Sequence, residues 1–148
     1  MIIPNNVRYF DVNSGHKTPL DYLKEIEEIE EIEKVTVVVF SSGLKNIKKL
    51  ISIIKEKTQI LFIISGYIVR MQIPTYEFIK NTDSEIRVIN THCKFILIKT
   101  KENYYTITST SNLDSNSKIE ITEISNSKKE YDFFLNYFIK NSTKITQK

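Results

Sequence analysis

The sequence predicts an α/β domain, a mixed β-sheet sandwiched by helices, from three observations. Residues 35–40 and 59–65 are short, nearly unbroken β-branched and aliphatic runs, the pattern of strands buried on both faces. Between them Leu44, Ile47, Leu50, Ile51 and Ile54 recur at helical spacing, so strand, helix and strand form a right-handed parallel crossover. Downstream, residues 85–90, 92–99 and 104–108 are strand-like segments divided by polar turns, with Lys101-Glu102-Asn103 as a hairpin turn, which adds antiparallel strands to the parallel pair.

Each element follows in order. The first fifteen or so residues form an irregular or edge segment. Thr18-Pro19-Leu20-Asp21 starts a helix, with Thr18 as cap, Pro19 at the first helical position and Asp21 three residues after the cap. The run LDYLKEIEEIEEIEK continues it, with Leu23, Ile26, Ile29 or Glu30, and Ile32 near one face and glutamates on the other. Its EIE triplets drift around a helix, so it is a solvated acidic face and not a coiled coil. Ser41-Ser42-Gly43 breaks the first buried strand, and Gly66 ends the second. A lone Gly43 before a helix is a turn, not a phosphate-cradling loop. Pro74 opens a short helix over PTYEFIKN, residues 109–117 form a polar loop, and residues 118–124 alternate as a strand. The last helix, residues 128–139, carries Tyr131, Phe134, Leu135 and Phe138 on one side, and the final NSTKITQK frays. No internal repeat or linker interrupts this, so residues 1–148 read as a single domain with its core over about 18–141.

Composition narrows the function classes. A length of 148 residues suffices for a real core, and a net charge of +3, from 21 Lys+Arg against 18 Asp+Glu, permits nucleic-acid binding without arguing for it. Alanine is absent while Ile, Lys and Asn abound, a bias that follows AT-rich codons and points to an AT-rich phage, plasmid, virus or small bacterial genome. Lysines enriched by codon usage are weaker signs of anion binding. The stripe of Lys45, Lys48, Lys49, Lys55 and Lys57 accordingly reads first as a solvated helix face, although it has the spacing to track a phosphate backbone. The single cysteine, Cys93, forms no intrachain disulfide, and with two histidines it is too little to build a zinc site, so no metal or other cofactor is expected. The opening MIIPNNVRYF lacks a basic segment followed by a long apolar core, and the apolar stretch 60–64 is too short to span a bilayer. A soluble cytoplasmic protein with no membrane partner is expected, in the host cytoplasm if the gene is viral or phage-borne.

The chemically informative stretch is Thr91-His92-Cys93-Lys94-Phe95-Ile96-Leu97-Ile98. On a strand, His92 and Lys94 share one face while Cys93, Phe95 and Leu97 point the other way, toward a packed core. An imidazole can attack phosphorus or pass a proton, and a neighbouring ammonium stabilises charge on phosphoryl oxygens. H-x-K alone is a weak signal, because a strand histidine is commonly structural. Tyr104 and Tyr105 have rings that stack on bases, but on a strand one of them faces the core.

The continuation is more specific. The H-x-K strand, a hairpin, a second strand, Ser109-Thr110-Ser111-Asn112-Leu113 and then Ile119-Glu120 together resemble the phospholipase D superfamily, in particular its small single-motif nuclease-like members. Thr110 matches the family serine and Asn112 the family asparagine, both phosphate donors, while Ser109 stands where the family has glycine. Glu120 stands where many members place an acid that hydrogen-bonds a catalytic histidine. The likeness covers roughly residues 35–124 as a pattern, with the upstream turn Ser41-Ser42-Gly43-Leu44 included, and it implies the family's fold. It departs at Lys99, seven residues after His92, where the family motif expects aspartate.

The resemblance implies metal-independent phosphodiester cleavage. Since His16 is followed directly by Lys17 and lacks the H-x-K spacing, one motif per chain implies a homodimer in which two His92 side chains meet. One His92 would form a phosphohistidine and the other would protonate the leaving oxygen. Lys94, Ser109, Thr110 and Asn112 would hold the phosphate, and Glu120 would orient a histidine. DNA is the first substrate expected, with phospholipid disfavoured. The alternative is a catalytically inactive member that keeps the fold for nucleic-acid binding or virion assembly, which Lys99, Ser109 and Thr110 favour. An unrelated α/β interaction module, in which His92 is a structural strand histidine, is the third reading.

Overall fold

The computed structural model describes residues 3–146. Its elements run β1 (Arg8–Asn13), α1 (Pro19–Ile29), β2 (Ile32–Val39), α2 (Leu44–Ile53), β3 (Gln59–Ser65), α3 (Gly66–Met71), α4 (Ile73–Lys80), β4 (Glu85–Ile89), β5 (Phe95–Thr100), β6 (Tyr104–Ser109), β7 (Glu120–Asn126), α5 (Lys128–Lys140) and β8 (Thr143–Ile145). All eight strands join one sheet in the order β1-β7-β6-β5-β2-β3-β4-β8. No helix among the described residues is long and apolar enough to cross a membrane.

The two β-branched runs occupy the centre. β2 and β3 pair in parallel, Val35 opposite Ile60 and Val39 opposite Ile64. β4 continues the parallel set, while β5 lies antiparallel on the other side of β2. Strand alternation then sorts side chains into two cores. Val35, Val37, Val39, Phe62, Ile64, Ile96, Ile98 and Ile107 meet Leu20, Leu23 and Ile26 of α1, Ile47 and Leu50 of α2, and Ile68 and Ile79 beyond. On the other face Val38, Leu61, Ile63 and Ile89 pack under Phe134, Leu135, Phe138 and Ile139 of α5, joined by Phe95. The acidic first helix is capped as its sequence predicts: Asp21 accepts from the Thr18 backbone N–H at 2.7 Å. Burial raises the Asp21 pKa, but that hydrogen bond and Lys49 outweigh it and hold the carboxyl below the ordinary aspartate range.

Four expectations are corrected. The first helix stops at Ile29, because Ile32 is buried as the opening residue of β2 and Glu30 turns into extended backbone at φ −137. Gly66 does end β3, but it also begins α3, whose cap is the Ser65 hydroxyl accepting from Ile68 N at 3.4 Å. The expected strand 92–99 is displaced to Phe95–Thr100, leaving His92, Cys93 and Lys94 in the segment that leads into it. Of the segment expected to fray, residues 143–145 form a short strand, while 147–148 lie outside the described residues; Arg87 donates to Ser142 Oγ at 2.7 Å and to the carbonyls of Ile139 and Ser142 at 3.2 and 3.1 Å. That guanidinium fixes the turn after α5 and lays β8 against β4, Ile86 opposite Ile145.

The turn between β5 and β6 is tied to α1 by one carboxylate. Glu30 accepts from Thr100 Oγ1 at 2.9 Å, from Asn103 Nδ2 at 2.6 Å and from the buried Tyr105 hydroxyl. Burial first, then the Glu30 hydrogen bond, push the Tyr105 pKa up, so the phenol stays a donor. Glu30→Ala strands three donors, and a loss of about 2 to 3 kcal/mol in urea denaturation is expected, against about 1 kcal/mol for Tyr105→Phe. Equal small effects would show that the hairpin is held by its apolar packing alone.

Candidate active site at the carboxyl edge of the sheet

Strand direction decides which loops meet. β2 and β3 are parallel, β5 is antiparallel to β2, β6 to β5, β7 to β6 and β1 to β7. The start of β5, the end of β6, the start of β7 and the end of β1 therefore fall at the same edge as the ends of β2 and β3. In open α/β sheets this edge is where ligands collect. His92, Lys94, Ser109, Thr110, Asn112 and Glu120 all belong to it.

His92 is exposed, and neither ring nitrogen makes a hydrogen bond within the described residues. Its ring stacks on Phe40, just past the end of β2, with centroids 4.3 Å apart at 12°. Phe40 in turn stacks on Tyr67 of α3 at 5.1 Å. The histidine is thus held flat from one side while its nitrogens stay open. Lys94 is half-buried, and its ammonium donates to the His92 carbonyl at 3.2 Å. Cys93, expected to point into the core, is exposed. The segment has left the sheet's regular pleat here, and its Thr91 hydroxyl accepts from Cys93 N at 2.9 Å in a local turn.

The two halves of the motif are joined by backbone. Ser109 N donates to the Lys94 carbonyl at 3.3 Å, extending the β5–β6 ladder to the residue that bears the cation. Ser109 Oγ then accepts from Ser111 N at 3.0 Å and meets Thr122 Oγ1 at 3.1 Å. Thr110 donates its hydroxyl to Glu120 Oε2 while accepting from Ile121 N at 3.1 Å. Asn116, which sequence reasoning did not single out, donates to Glu120 Oε1 at 3.0 Å. Glu120, 8% exposed, therefore holds the loop to β7. Asn112 differs: its Oδ1 is buried with no partner, and its amide nitrogen makes no bond within the described residues. The oxygen is a buried unsatisfied acceptor, and the nitrogen is a donor left without a partner.

Two backbone features pin this loop. Leu113 sits at φ 90, a conformation unusual for a residue with a side chain, and its side chain is 2% exposed in the main core. Burial of that leucine offsets a backbone cost of about 1 kcal/mol. Gly15, at φ +82, lies against Asn116, where an added Cβ would come within 2.2 Å of the Asn116 carbonyl oxygen. Nothing in the H-x-K pattern marked Asn116 or Phe40. Their roles arise from loops brought together by strand order.

Other residues fall outside the site. Lys99, in the position of the family aspartate, lies toward the far end of β5 and pairs with Glu33 at 3.0 Å, which raises its pKa. Lys49, Lys55 and Lys57 pair with Asp21, Glu27 and Glu31, so the lysine stripe is largely a neutralised helix face. Tyr105 is buried, and Tyr104 packs on Tyr131 at 5.2 Å. Among the described residues no group of three His, Cys, Asp or Glu side chains is placed to hold a metal ion.

Comparison with known proteins bears on the fold. No family model matches the sequence, and no curated protein does. Solved structures do. A phospholipase D family member, Nuc from Salmonella typhimurium, superposes with a TM-score of 0.70 at 16% identity, covering 94% of this chain and 99% of Nuc. The chain has the phospholipase D fold. Yeast tyrosyl-DNA phosphodiesterase shares that fold at a TM-score of 0.53 and 14% identity, over 80% of this chain and 30% of the enzyme. TrmBL2, an archaeal chromatin protein, matches at a TM-score of 0.60 and 12% identity, over 93% of this chain and 55% of its own.

Within this phospholipase D fold the closed triad of Thr110, Glu120 and Asn116 should govern the loop's stability. Glu120→Ala removes the acceptor for two side chains, and a loss of about 2 to 3 kcal/mol is expected by chemical denaturation. Glu120→Gln keeps one acceptor and should cost about half as much. A neutral Glu120→Ala would mean that Leu113 and Gly15 hold the loop without it.

Proposed function

We propose that this protein is a metal-independent phosphodiesterase acting on nucleic acid, DNA first, through a phosphohistidine intermediate in a homodimer. The observation that carries the reading is the joining of an exposed, hydrogen-bond-free His92 and the Lys94 cation to the 109–112 loop through the Lys94–Ser109 backbone bond. Its fold is shared with Nuc, a phospholipase D family member, and with a tyrosyl-DNA phosphodiesterase.

In this mechanism a ring nitrogen of His92 attacks phosphorus. The P–N bond forms as the P–O ester bond breaks, and the leaving oxygen takes a proton from the imidazolium of the second subunit's His92. Water then attacks phosphorus and gives its proton to that second imidazole. The P–N bond breaks, and both histidines return to their starting states. Lys94, released from the His92 carbonyl, and the open Asn112 amide carry the charge on the phosphoryl oxygens. Ser109 shapes the loop, and Thr110 contributes its hydroxyl. Glu120 positions Thr110 and, with lone pairs remaining, accepts from a histidine N–H in the assembled dimer. An exposed, unpaired Cys93 suits a reducing cytoplasm, the host's for a phage-borne gene.

A second reading rests on a specific observation. The Thr110 hydroxyl is already donated to Glu120, and Lys99 replaces the family aspartate. Both favour a catalytically inactive protein that binds nucleic acid or serves in assembly, and TrmBL2 shows this fold in a chromatin protein. Cleavage of single- and double-stranded DNA in excess EDTA separates the two. Cleavage by the wild type that falls at least about 100-fold in His92→Ala and in Lys94→Ala is expected. A folded wild type that binds DNA but does not cut it across pH and salt decides for the inactive reading.

A further inference from the structure

The helix on one face of the sheet leaves part of that face bare. α5 covers β4, β3, β2 and β5 and reaches β6, while β7 and β1 extend beyond it. The result is a cleft of about 520 Å³ between α5 and the β6–β7–β1 surface, within the usual range for small-ligand pockets. Strand register sets its floor: Thr106 lies opposite Ser125 and Thr108 opposite Glu123. Its wall is Phe133 and Phe134 of α5, with Phe133 64% exposed.

Two features show what the cleft is suited to hold. The Thr106 hydroxyl, in a residue 3% exposed, is buried with no hydrogen-bond partner, and Thr108 beside it makes none within the described residues. A buried hydroxyl in that state is costly until something bonds it. Arg8, also in the lining, is neutralised by ion pairs to Glu123 and Glu130, and Ser125 donates to Glu130 at 2.7 Å. The interior therefore offers aromatic surface and unpaired hydroxyls beside one guanidinium shared by two carboxylates, a net charge of −1 that Lys129 brings to zero for the lining as a whole. At its edge Lys129 has no carboxylate partner within the described residues. A flat, uncharged heterocycle with donors and acceptors on its rim, attached to an anionic backbone, matches this set.

We propose that the cleft is a base-binding pocket for single-stranded nucleic acid. It receives an unstacked nucleobase against Phe133, with the base edge bonded by Thr106 and Thr108, while Lys129 meets the neighbouring phosphate. The proposal rests on the nucleic-acid reading above. Thr108 directly precedes Ser109 and lies opposite Phe95, so the cleft opens one residue from the Lys94–Ser109 bond. A second copy of the chain is a poorer occupant, since dry apolar packing would leave the threonine hydroxyls unbonded.

The test is fluorescence anisotropy in EDTA, using a short labelled thymidine oligonucleotide and an abasic oligonucleotide of equal length and charge. Bases should tighten binding by about tenfold or more, the effect of one stacked base. Phe133→Ala and Thr106→Val should each reduce that difference while leaving abasic affinity unchanged, with the urea midpoint not lowered by either and raised, if anything, by Thr106→Val. Equal affinity for the two oligonucleotides overturns the pocket, as does a difference that survives both substitutions. Self-association that disappears in Phe133→Ala, with no base-dependent binding, also overturns it in favour of a second copy. DNA cleavage is scored separately: base-dependent binding without cleavage keeps the pocket and removes the His92 mechanism, and cleavage without base dependence does the reverse.

Discussion

The antiparallel junction between β5 and β2 sets the rest of the molecule. Had β5 continued the parallel set, its first residues would lie at the opposite edge of the sheet, far from the ends of β2 and β3. Pairing Phe95 with Val38 and Ile98 with Val35 instead brings Lys94 and His92 to the carboxyl edge, beside Phe40. The same junction turns the chain through the Lys101–Asn103 hairpin, so that β6 returns to that edge and delivers Ser109 to the Lys94 carbonyl. One reversal of direction thus collects residues more than a dozen positions apart, and Glu30 anchors it from the far side by holding Thr100, Asn103 and Tyr105.

What was legible in the sequence was what local pattern controls. The β-branched runs became β2 and β3, the Thr18-Pro19-Asp21 signal became a real helix start, and the aromatic face of residues 128–139 became the cover of one core. Errors came where tertiary contacts override the local pattern. The EIE triplets keep helical composition past Ile29, yet Glu30 and Ile32 are drawn into the hairpin anchor and the sheet. The polar tail NSTKI has no strand signature of its own, and it pairs with β4 because the Arg87 guanidinium fixes the turn before it. At the site, His92 and Lys94 stood out by type and spacing, and Glu120 only through the family resemblance. Phe40 and Asn116 did not, because a stacking partner and a carboxylate donor are defined only once loops meet.

The site's hydrogen bonds divide it into a closed half and an open half. On the β6–β7 side Thr110 and Asn116 give both oxygens of Glu120 a donor, and Asn112 is the unpaired side chain of that loop. On the β5 side the groups are open or weakly held: the His92 ring bonds nothing, and Lys94 rests on a backbone carbonyl. An ammonium on one neutral carbonyl gains little relative to an ammonium on a phosphate, since charge-assisted bonds are roughly twice as strong. An anion placed at this edge would therefore have an advantage over the carbonyl in taking Lys94, and the bonds of Glu120 would not have to break.

That division bears on the departures from the phospholipase D pattern. Position 99 lies toward the far end of β5, directly opposite Lys34 and beside Glu33, so an aspartate there would meet one charge of each sign. Lys99 instead takes an ion pair with Glu33 at 3.0 Å and has the like charge of Lys34 across from it, next to the irregular register between Ile32 and Lys34. The side chain at 99 therefore acts in strand pairing, at the end of β5 remote from His92. The His92 ring and the Lys94 ammonium lie at the opposite edge, apart from this pairing.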